Sequence, residues 1–327
     1  MPTERVLLIR TDRMGDTLMN LPAVRCLRQN YPKAWLTWMV DRSVAPLLRD
    51  HPDVDEIFEI DNTKMQDAGY RRDLVQKVRK IRFDLGIASN AEKFFHWMLF
   101  AAGVRERVGW RRKWSFFLNH SLRDDKATAG RHEFDSNLKL VGLAAKKAWD
   151  GSWRLPVDSA AVSAVEKRLT KEFPELELPV LVVHAGTSDP QKRWPVEKFA
   201  ATCSLLLEKR RAKVLLIGGS EEEAQSRELL SRLPEGAADW TGALNLKELS
   251  ALLHAPRVKT VLSVDSGPVH IAWLHGKPVV ALYAKNTPGS DPARWGPKSE
   301  GSIAIYKNIS EITAEEAAAA LEKVLSR

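Results

Sequence analysis

Short apolar runs alternate with helical patterns along both halves of the chain, and this alternation limits the fold more than any other feature. In the first half, the runs at 6–9 and 34–40 are separated by a stretch whose apolar residues recur about once per helical turn. Buried strands joined by helices build a parallel sheet covered by helices. The alternation restarts at 179–185. The sequence therefore predicts an α/β fold with two doubly wound, Rossmann-like domains, at 1–158 and 159–327.

The individual elements follow from the period of the apolar residues. Strands are predicted at 6–9, 34–40, 56–60, 84–88, 179–185, 213–219, 260–264 and 278–283. Helices are predicted around 18–27, 65–81, 94–102, 132–143, 160–173, 196–209, 221–232, 246–254, 265–275 and 314–325. Residues 105–117 interrupt the alternation, and an extended connector is predicted at 152–156.

Composition limits the class of protein and its partners. A chain of 327 residues that is 44% hydrophobic can bury two cores of ordinary size. Its net charge of +8 suits a polyanion, which could be a nucleic acid, an anionic membrane or a phosphorylated substrate. Cys26 and Cys203 lie in helical patterns and fit neither a disulfide framework nor a zinc site. No apolar run approaches the ~20 residues of a membrane span, and no apolar signal core is present, so we expect a cytoplasmic protein.

The turn after the first strand is the first candidate site. It carries Gly15 between two carboxylates, Asp12 and Asp16, and a helical pattern follows. In an open α/β sheet, ligands bind outside the carboxyl ends of the strands, where this turn is predicted to lie. Asp16 would stand at the start of the helix, where it either caps the helix or takes part in chemistry. Both interpretations fit the local sequence.

Basic and aromatic residues are interleaved at 105–117. Arg111, Arg112 and Lys113 lie between Trp110 and Trp114. Arginine next to aromatic rings suits phosphate groups attached to an apolar body, such as a phosphorylated glycolipid. The same composition could bind single-stranded nucleic acid, or form a surface loop whose rings return to the core.

Three loops of the second half follow predicted strands and can share one crevice. The first carries hydroxyls and a cation, the second carboxylates suited to a ribose diol, and the third a helix N-terminus suited to an anion. These residues are Thr187, Ser188 and Lys192; Glu221 and Glu222; and Asp265, Ser266 and Gly267. Together they predict a pocket for a nucleoside diphosphate. The sequence contains neither the GxGxxG fingerprint nor a P-loop, so neither a nicotinamide site nor a Walker-type site is indicated. His184 and His270 lie nearby, as structural or as reacting groups.

Motifs at these loops resemble those of glycosyltransferase family 9, the ADP-heptose:lipopolysaccharide heptosyltransferases and their relatives. The motifs are Met14-Gly15-Asp16 with Leu21-Pro22, His132-Glu133-Phe134-Asp135, His184-Ala185-Gly186-Thr187 with Lys192-Arg193-Trp194-Pro195, Gly218-Gly219-Ser220-Glu221, and Asp265-Ser266-Gly267-Pro268-Val269-His270. The combination is specific to the family, although no single motif is.

The resemblance implies a GT-B fold, with two Rossmann-like domains facing each other across a cleft. It implies that the N-terminal domain binds the acceptor and the C-terminal domain the nucleotide sugar. It also implies that the terminal helix packs back on the first domain. The implied reaction inverts the anomeric centre and needs neither a metal nor a further cofactor.

Roles for single residues also come from the resemblance. Asp16 would be the general base. Apart from the resemblance, Asp12 in the same turn and the basic residues Arg111, Arg112 and Lys113 are expected to contact the acceptor. The diphosphate would be held by Thr187, Ser188, Lys192, Ser266 and Gly267. Asp265 would orient the sugar, and Glu222 or Glu221 would bind the ribose. The implied partners are a nucleotide sugar, most simply ADP-heptose, and an anionic glycolipid acceptor of the lipopolysaccharide core at the inner membrane, and no nucleic acid.

One departure from the family pattern keeps other functions open. The loop between His184 and Lys192 reads Ala-Gly-Thr-Ser-Asp-Pro-Gln, where heptosyltransferases often have paired threonines. A GT-B transferase or an epimerase that uses another nucleotide sugar, such as a UDP-sugar, is therefore an alternative. A basic nucleic-acid-binding protein is an alternative of a different class.

Overall fold

A computed structural model describes residues 4–90, 92–126, 128–175 and 177–327. The chain divides into two compact units, with the division between Pro156 and Val157. Each unit contains one six-stranded sheet whose paired strands are all parallel. Among the described residues, no helix is both long enough and apolar enough to cross a bilayer. Both cysteines are buried free thiols.

The first unit carries a sheet in the order β3-β2-β1-β4-β5-β6. Its strands are β1 (Arg5–Ile9), β2 (Trp35–Asp41), β3 (Glu56–Ile60), β4 (Leu85–Ala88), β5 (Glu106–Arg111) and β6 (His120–Arg123). Its helices are α1 (Met14–Leu18), α2 (Leu21–Asn30), α3 (Ala68–Ile81), α4 (Lys93–Ala101) and α5 (Glu133–Val141), with single 3₁₀ turns at Ala45–Leu47, Asn62–Lys64 and Ser115–Phe117.

The second unit repeats this plan in the order β12-β11-β10-β7-β8-β9. Its strands are β7 (Val180–His184), β8 (Lys213–Ile217), β9 (Ala237–Asp239), β10 (Val258–Val264), β11 (Val279–Ala284) and β12 (Ile303–Lys307). Its helices are α6 (Ser159–Glu172), α7 (Val196–Glu208), α8 (Glu223–Ser231), α9 (Leu246–His254), α10 (Gly267–Leu274), α11 (Pro292–Trp295) and α12 (Ala314–Leu325), with 3₁₀ turns at Pro190–Lys192, Ser220–Glu222 and Ile309–Glu311.

The strand order of each sheet reverses at one place, and ligand sites of open α/β sheets lie at such places. In the first sheet the reversal lies between β1 and β4, where Ile9 pairs with Ala88. In the second it lies between β7 and β10, where His184 pairs with Ser263. The side chains that follow these pairs are therefore brought together at the carboxyl edge of each sheet. The two doubly wound sheets confirm the predicted α/β fold class.

Four strands were not predicted: β5, β6, β9 and β12. Residues 105–117 do not interrupt the alternation. The first half of this segment forms β5, which continues the sheet and buries Val108 and Trp110. The strands β6, β9 and β12 each pair on one side only. An edge strand needs less apolar sequence than a central one, so its apolar run is short.

The predicted helix at 18–27 is interrupted at Met19 and Asn20. Pro22 lacks an amide hydrogen, and its ring would clash with the carbonyl of Leu18, so one continuous helix cannot pass through it. The terminal helix α12 packs its buried residues against α7 and the sheet of the second unit. Its buried face of Ala317, Leu321 and Val324 belongs to the core cluster of that unit.

Candidate functional site

Asp16 lies in the first turn of α1, at the carboxyl edge of the first sheet, and is held by Arg10. The Nη2 atom of Arg10 lies 2.6 Å from Oδ1 of Asp16, and its Nε atom lies 2.6 Å from Oδ1 of Asp12. The N-cap of α1 is Arg13, so Asp16 is not the capping residue. The Arg10 side chain is 4% exposed, whereas that of Asp16 is 23% exposed. The carboxylate of Asp16 is thus fixed from the protein side and remains partly open to solvent.

A third carboxylate, that of Glu133, also contacts Arg10. Nη1 of Arg10 lies 3.4 Å from Oε1 of Glu133, which is fully buried at the start of α5. The same oxygen lies 2.7 Å from Nζ of Lys126. Lys126 is buried as well and lies 4.4 Å from the centroid of the Trp110 ring. Two cations and three carboxylates therefore form one cluster, which we call the Arg10 cluster: Arg10, Asp12, Asp16, Lys126 and Glu133.

Burial and neighbouring charges shift the pKa values in the Arg10 cluster. Burial alone would lower the pKa of Arg10, but the carboxylates of Asp12, Asp16 and Glu133 raise it above its ordinary value. Burial raises the pKa of Asp12, Arg10 opposes this, and Asp16 adds to it. Burial also lowers the pKa of Lys126, and Arg10 lowers it further. Arg10 is consequently a permanent cation that both aspartates share.

Neutral polar side chains fix the backbone around the Arg10 cluster. The hydroxyl of Ser89, directly after β4, donates to Oδ1 of Asn20 at 2.8 Å. The carbonyl of Ser89 accepts from Nη1 of Arg10 and from Nε1 of Trp110, both at 3.1 Å. Asn90 accepts from the amide of Thr11 at 3.0 Å. Segments that follow β1 and β4 are thereby tied to each other behind Asp16.

The basic side chains predicted to meet the acceptor lie at the end of β5, where Arg111 is the last residue of the strand, and directly after it. Arg111, Arg112 and Lys113 are all exposed. Nε of Arg112 lies 2.5 Å from Oδ2 of Asp124, which follows β6. Arg112 is therefore already paired with a carboxylate and is less available to bind a ligand phosphate. Arg111 and Lys113 extend into solvent at the same sheet edge as Asp16.

In the second unit, His184 connects two loops at the carboxyl edge of the sheet. Its Nε2 atom lies 3.2 Å from Oε2 of Glu222, and its Nδ1 atom lies 3.1 Å from Oγ of Ser263 and 3.2 Å from Oγ of Ser266. A carboxylate only accepts, so Nε2–H donates to Glu222. His184 is buried, and the serine hydroxyls lie 3.0 Å apart. The Ser266 side chain thus faces His184 and does not cap α10.

Glu222 occupies the space above two glycines. Its Oε2 accepts from the amide of Gly219 at 2.9 Å. A Cβ atom at Gly186 would coincide with the Glu222 carboxylate, and one at Gly218 would also collide with it. Burial would raise the pKa of Glu222, but the hydrogen bonds from His184 and Gly219 lower it. Glu222 is accordingly a preorganised carboxylate, whereas Glu221 is exposed.

Lys192 and Asp265 form an ion pair between two of the loops. Nζ of Lys192 lies 2.6 Å from Oδ2 of Asp265, and their side chains are 15% and 8% exposed. His270, on α10, places Nε2 3.8 Å from the other oxygen of Asp265. Nδ1 of His270 accepts from the Trp273 indole at 3.2 Å. The predicted donor residues Lys192, Asp265 and Ser266 are therefore brought together at the reversal of the second sheet.

The remaining predicted donor residues border this group. Gly267 is the first residue of α10, and Pro268 has no amide hydrogen to offer. Thr187 Oγ1 accepts from the amide of Asp189 at 3.2 Å, so its hydroxyl supports the loop. Ser188 is exposed. Thr187 thus has a local role in this structure.

Sequence reasoning missed four residues of these sites: Arg10, Lys126 and Glu133 as a cluster, and His184 as the link between loops. Arg10 and His184 directly follow or end a central strand, which is the signal that could have found them. Nothing local indicates that Glu133 reaches Arg10, since 123 residues separate them. In the described part of the chain, no group of three or more His, Cys, Asp or Glu side chains is arranged to hold a metal ion.

Comparisons with known proteins identify relatives of this chain in sequence and in structure. Lipopolysaccharide heptosyltransferase 2 of Escherichia coli strain K12 is 27% identical over 303 residues, which cover 88% of this chain and 85% of the relative. A glycosyl transferase family 9 structure from Veillonella parvula superposes with a TM-score of 0.88 at 20% identity, over 100% of this chain and 98% of the other. The structure of E. coli ADP-heptose lps heptosyltransferase II does so with a TM-score of 0.79 at 23% identity, over 98% of each chain.

The family described as Glycosyltransferase family 9 (heptosyltransferase) matches residues 71–324, which is most of the chain. This match spans β4 to β6 of the first unit and nearly all of the second. It agrees with the resemblance seen in the motifs and favours a glycosyltransferase over a nucleic-acid-binding protein. The chain belongs to glycosyltransferase family 9, the heptosyltransferase family.

Proposed function

We propose that this glycosyltransferase moves heptose from ADP-heptose to an acceptor of the lipopolysaccharide core, with inversion and without a metal ion. The names of the relatives support these substrates, because those proteins match nearly the whole chain. The first unit would bind the acceptor and the second the nucleotide sugar. An acceptor anchored in the inner membrane would bring the reaction to its cytoplasmic face.

The single observation that carries the mechanism is the hold of Arg10 on Asp16. One oxygen of Asp16 is paired with Arg10 at 2.6 Å, and the side chain is still 23% exposed. In the proposed step, the acceptor hydroxyl attacks the anomeric carbon, the bond from that carbon to ADP breaks, and the hydroxyl proton passes to Asp16. Removing the proton as the bond forms makes the oxygen a better nucleophile. Attack opposite the leaving group inverts the anomeric centre.

The leaving ADP needs positive partners, and the second unit offers them. Lys192 would turn from Asp265 to the diphosphate, and the amide of Gly267 at the start of α10 would add a hydrogen bond. Glu222, already fixed by His184 and Gly219, would accept from the ribose hydroxyls. Asp265, freed from Lys192, would orient the sugar.

Asp16→Asn tests the base, and Asp12→Asn is its matched control. Both variants remove one carboxylate beside Arg10 and keep the side-chain volume. We expect kcat of Asp16→Asn to fall by about 10² to 10⁴, with unchanged affinity for ADP and a melting temperature equal to that of Asp12→Asn. The kcat of Asp12→Asn should stay within about tenfold of that of the unmodified protein. A stable Asp16→Asn protein with nearly normal turnover would remove Asp16 from the mechanism.

The donor half is tested by binding and by chelation. Lys192→Ala should weaken ADP and ADP-heptose binding, while UDP- and GDP-sugars should bind the unmodified protein less tightly than ADP-heptose.

Transfer should persist in EDTA, and the product should have the anomeric configuration opposite to that of the donor, as read by NMR coupling constants. Loss of activity in EDTA that Mg²⁺ restores would refute the metal-free mechanism, and preference for a UDP-sugar would refute the donor.

A further inference from the structure

An apolar groove between α3 and α4 takes no part in the chemistry described above. It has a volume of about 510 Å³ and lies within the first unit. Val75, Phe94, Trp97 and Trp114 supply apolar lining. A groove of this size can hold part of a small or chain-like ligand, and an apolar lining selects a ligand with an apolar portion.

Cations surround the groove. Arg71, Arg72 and Arg79 of α3 line it together with the aromatic rings, and none of the described lining residues is acidic. The helix α3 carries five basic side chains and one acidic side chain, Asp73. An apolar groove with a cationic rim matches a ligand that has an alkyl chain attached to an anionic head.

Exposed aromatic rings continue this surface beyond the groove. Phe116 is 76% exposed, Phe100 52% and Trp114 41%. The rings of Phe116 and Phe100 each contact the ring of Phe117 at a tilt, with centroids 4.4 Å and 5.0 Å from that of Phe117. Tryptophan and other amphipathic rings are enriched where proteins meet the interface of a bilayer. Such a set of rings next to basic residues is therefore suited to a lipid surface.

The positions of two cations argue against single-stranded nucleic acid as the ligand of this groove. The guanidinium carbon of Arg71 lies 5.8 Å from the ring centroid of Phe94, and Nζ of Lys93 lies 5.0 Å from that of Trp114. These cations cover ring faces on which bases would have to stack. A headgroup phosphate, in contrast, binds the cations where they are, and the acyl chain needs only the groove.

We propose that the α3–α4 groove docks this protein on an anionic phospholipid bilayer, with an acyl chain in the groove and headgroup phosphates on Arg71 and Arg72. The inference rests on the proposed function to the extent that a glycolipid acceptor lies in the same bilayer. It assigns to α3 and α4 a partner separate from both substrates of the transfer reaction.

The test is flotation of the full chain with vesicles that contain phosphatidylglycerol, with phosphatidylcholine vesicles as the neutral comparison. The double variant Arg71→Gln/Arg72→Gln removes two groove cations. The matched control, Lys77→Gln/Lys80→Gln, removes the same charge from the same helix outside the groove. Each basic residue close to an anionic surface contributes roughly a factor of five. We expect the groove variant to bind about 25-fold more weakly and the control variant to stay within about threefold, because attraction declines beyond the Debye length.

A second measurement reports insertion of the rings. Brominated acyl chains should quench tryptophan fluorescence of the unmodified protein, and Trp114→Phe should remove much of that quenching. Phe116→Ser should weaken binding most clearly at high salt, where exposed charges are screened. Absence of binding to phosphatidylglycerol vesicles would overturn the proposal, as would equal weakening in the groove and control variants. Displacement of the vesicles by a single-stranded oligonucleotide would identify nucleic acid as the occupant instead.

The outcome can be separated from that of the proposed function. Transfer to a deacylated acceptor does not require the bilayer, so Arg71→Gln/Arg72→Gln should retain its kcat on that substrate. Transfer without vesicle binding would refute only the docking surface. Vesicle binding without transfer from any nucleotide sugar would refute only the glycosyltransferase substrates.

Discussion

Arg10 is a buried cation that serves carboxylates from two distant parts of the chain. It meets Asp12 and Asp16 in its own turn and Glu133 at the start of α5. Removing one partner of a buried group of charges leaves the others without compensation, which destabilises a fold far more than loss of a surface pair. The same residue that would orient the base is therefore also expected to stabilise the first unit.

Arg10→Met should lower the free energy of unfolding by about 3 to 5 kcal/mol at neutral pH. Lys126 alone then faces Glu133, and Asp12 and Asp16 repel each other. The control is Arg49→Met, which removes the ion pair between Arg49 and Glu59. The Arg49 side chain is 54% exposed, so this variant should lose less than about 1 kcal/mol of unfolding free energy. Urea denaturation of both variants measures the difference. Equal midpoints would mean that the Arg10 cluster contributes no net stability.

Central strands and long helices were predictable because their sequence carries the period of a buried face. The predicted helices at 246–254 and 314–325 match α9 and α12. Asn245 and Thr313 cap them through their side chains, and Glu248 completes a capping box. The strands β6, β9 and β12 escaped prediction because an edge strand has only one paired neighbour and needs little apolar sequence.

Site residues that directly follow a strand could be predicted from the sequence. Contacts between residues that are far apart in the sequence could not, because they depend on how the elements pack. The loops that carry Lys192 and Asp265 were expected to meet, and Nζ of Lys192 lies 2.6 Å from the Asp265 carboxylate. The pairing of Arg112 with Asp124 was not expected, because β6 was not predicted and Asp124 directly follows it. The missed strand thus hid the partner of a predicted site residue.

A buried histidine ties the connector at 152–156 to the segment between β2 and β3. Nε2 of His51 lies 3.0 Å from the carbonyl of Arg154, and Nδ1 accepts from the amide of Asp53 at 3.1 Å. Burial lowers the pKa of His51 from 6.5 to about 4. Between these two values the unfolded chain binds a proton that the folded chain does not, so stability falls as the pH falls from 6.5 towards 4.

His51→Gln should reduce this sensitivity to acid. The unmodified protein should lose roughly 2 to 3 kcal/mol more than the variant between pH 7 and pH 4.5, since one pKa unit corresponds to about 1.4 kcal/mol. His275, whose pKa burial lowers to about 3, acts in both proteins and cancels from the comparison. Chemical denaturation at the two pH values measures the difference. The same pH dependence in both proteins would show that His51 titrates normally in the folded state.

At the scale of the whole molecule, the second unit has what an independent domain needs. Residues Val157–Arg327 form one compact unit with a core cluster that includes Trp194, Phe199 and Leu321. All of the proposed donor residues lie within it. A fragment with its own core and its own ligand residues should fold and bind without the remainder of the chain.

The fragment 157–327 should therefore bind ADP about as tightly as the full chain does. At a concentration 100 times its Kd, ADP adds roughly 2.7 kcal/mol to the free energy of unfolding, which a thermal-shift measurement detects. The same fragment with Lys192→Ala is the control and should show a smaller shift. A fragment that is folded by circular dichroism and does not respond to ADP would contradict the assignment of the donor to this unit.

The Glu222 carboxylate over Gly186 has a consequence for genetic variation at the two positions. A methyl group at residue 186 would occupy the place of that carboxylate, yet the carboxylate ends a flexible side chain and can rotate away. Gly186→Ala should thus leave the protein folded while separating Glu222 from His184 and Gly219. A library randomised at both codons should keep alanine at 186 when selected for stability and discard it when selected for growth that needs the enzyme. Selection for function would then constrain residues 186 and 222 together, although 36 positions separate them in the sequence.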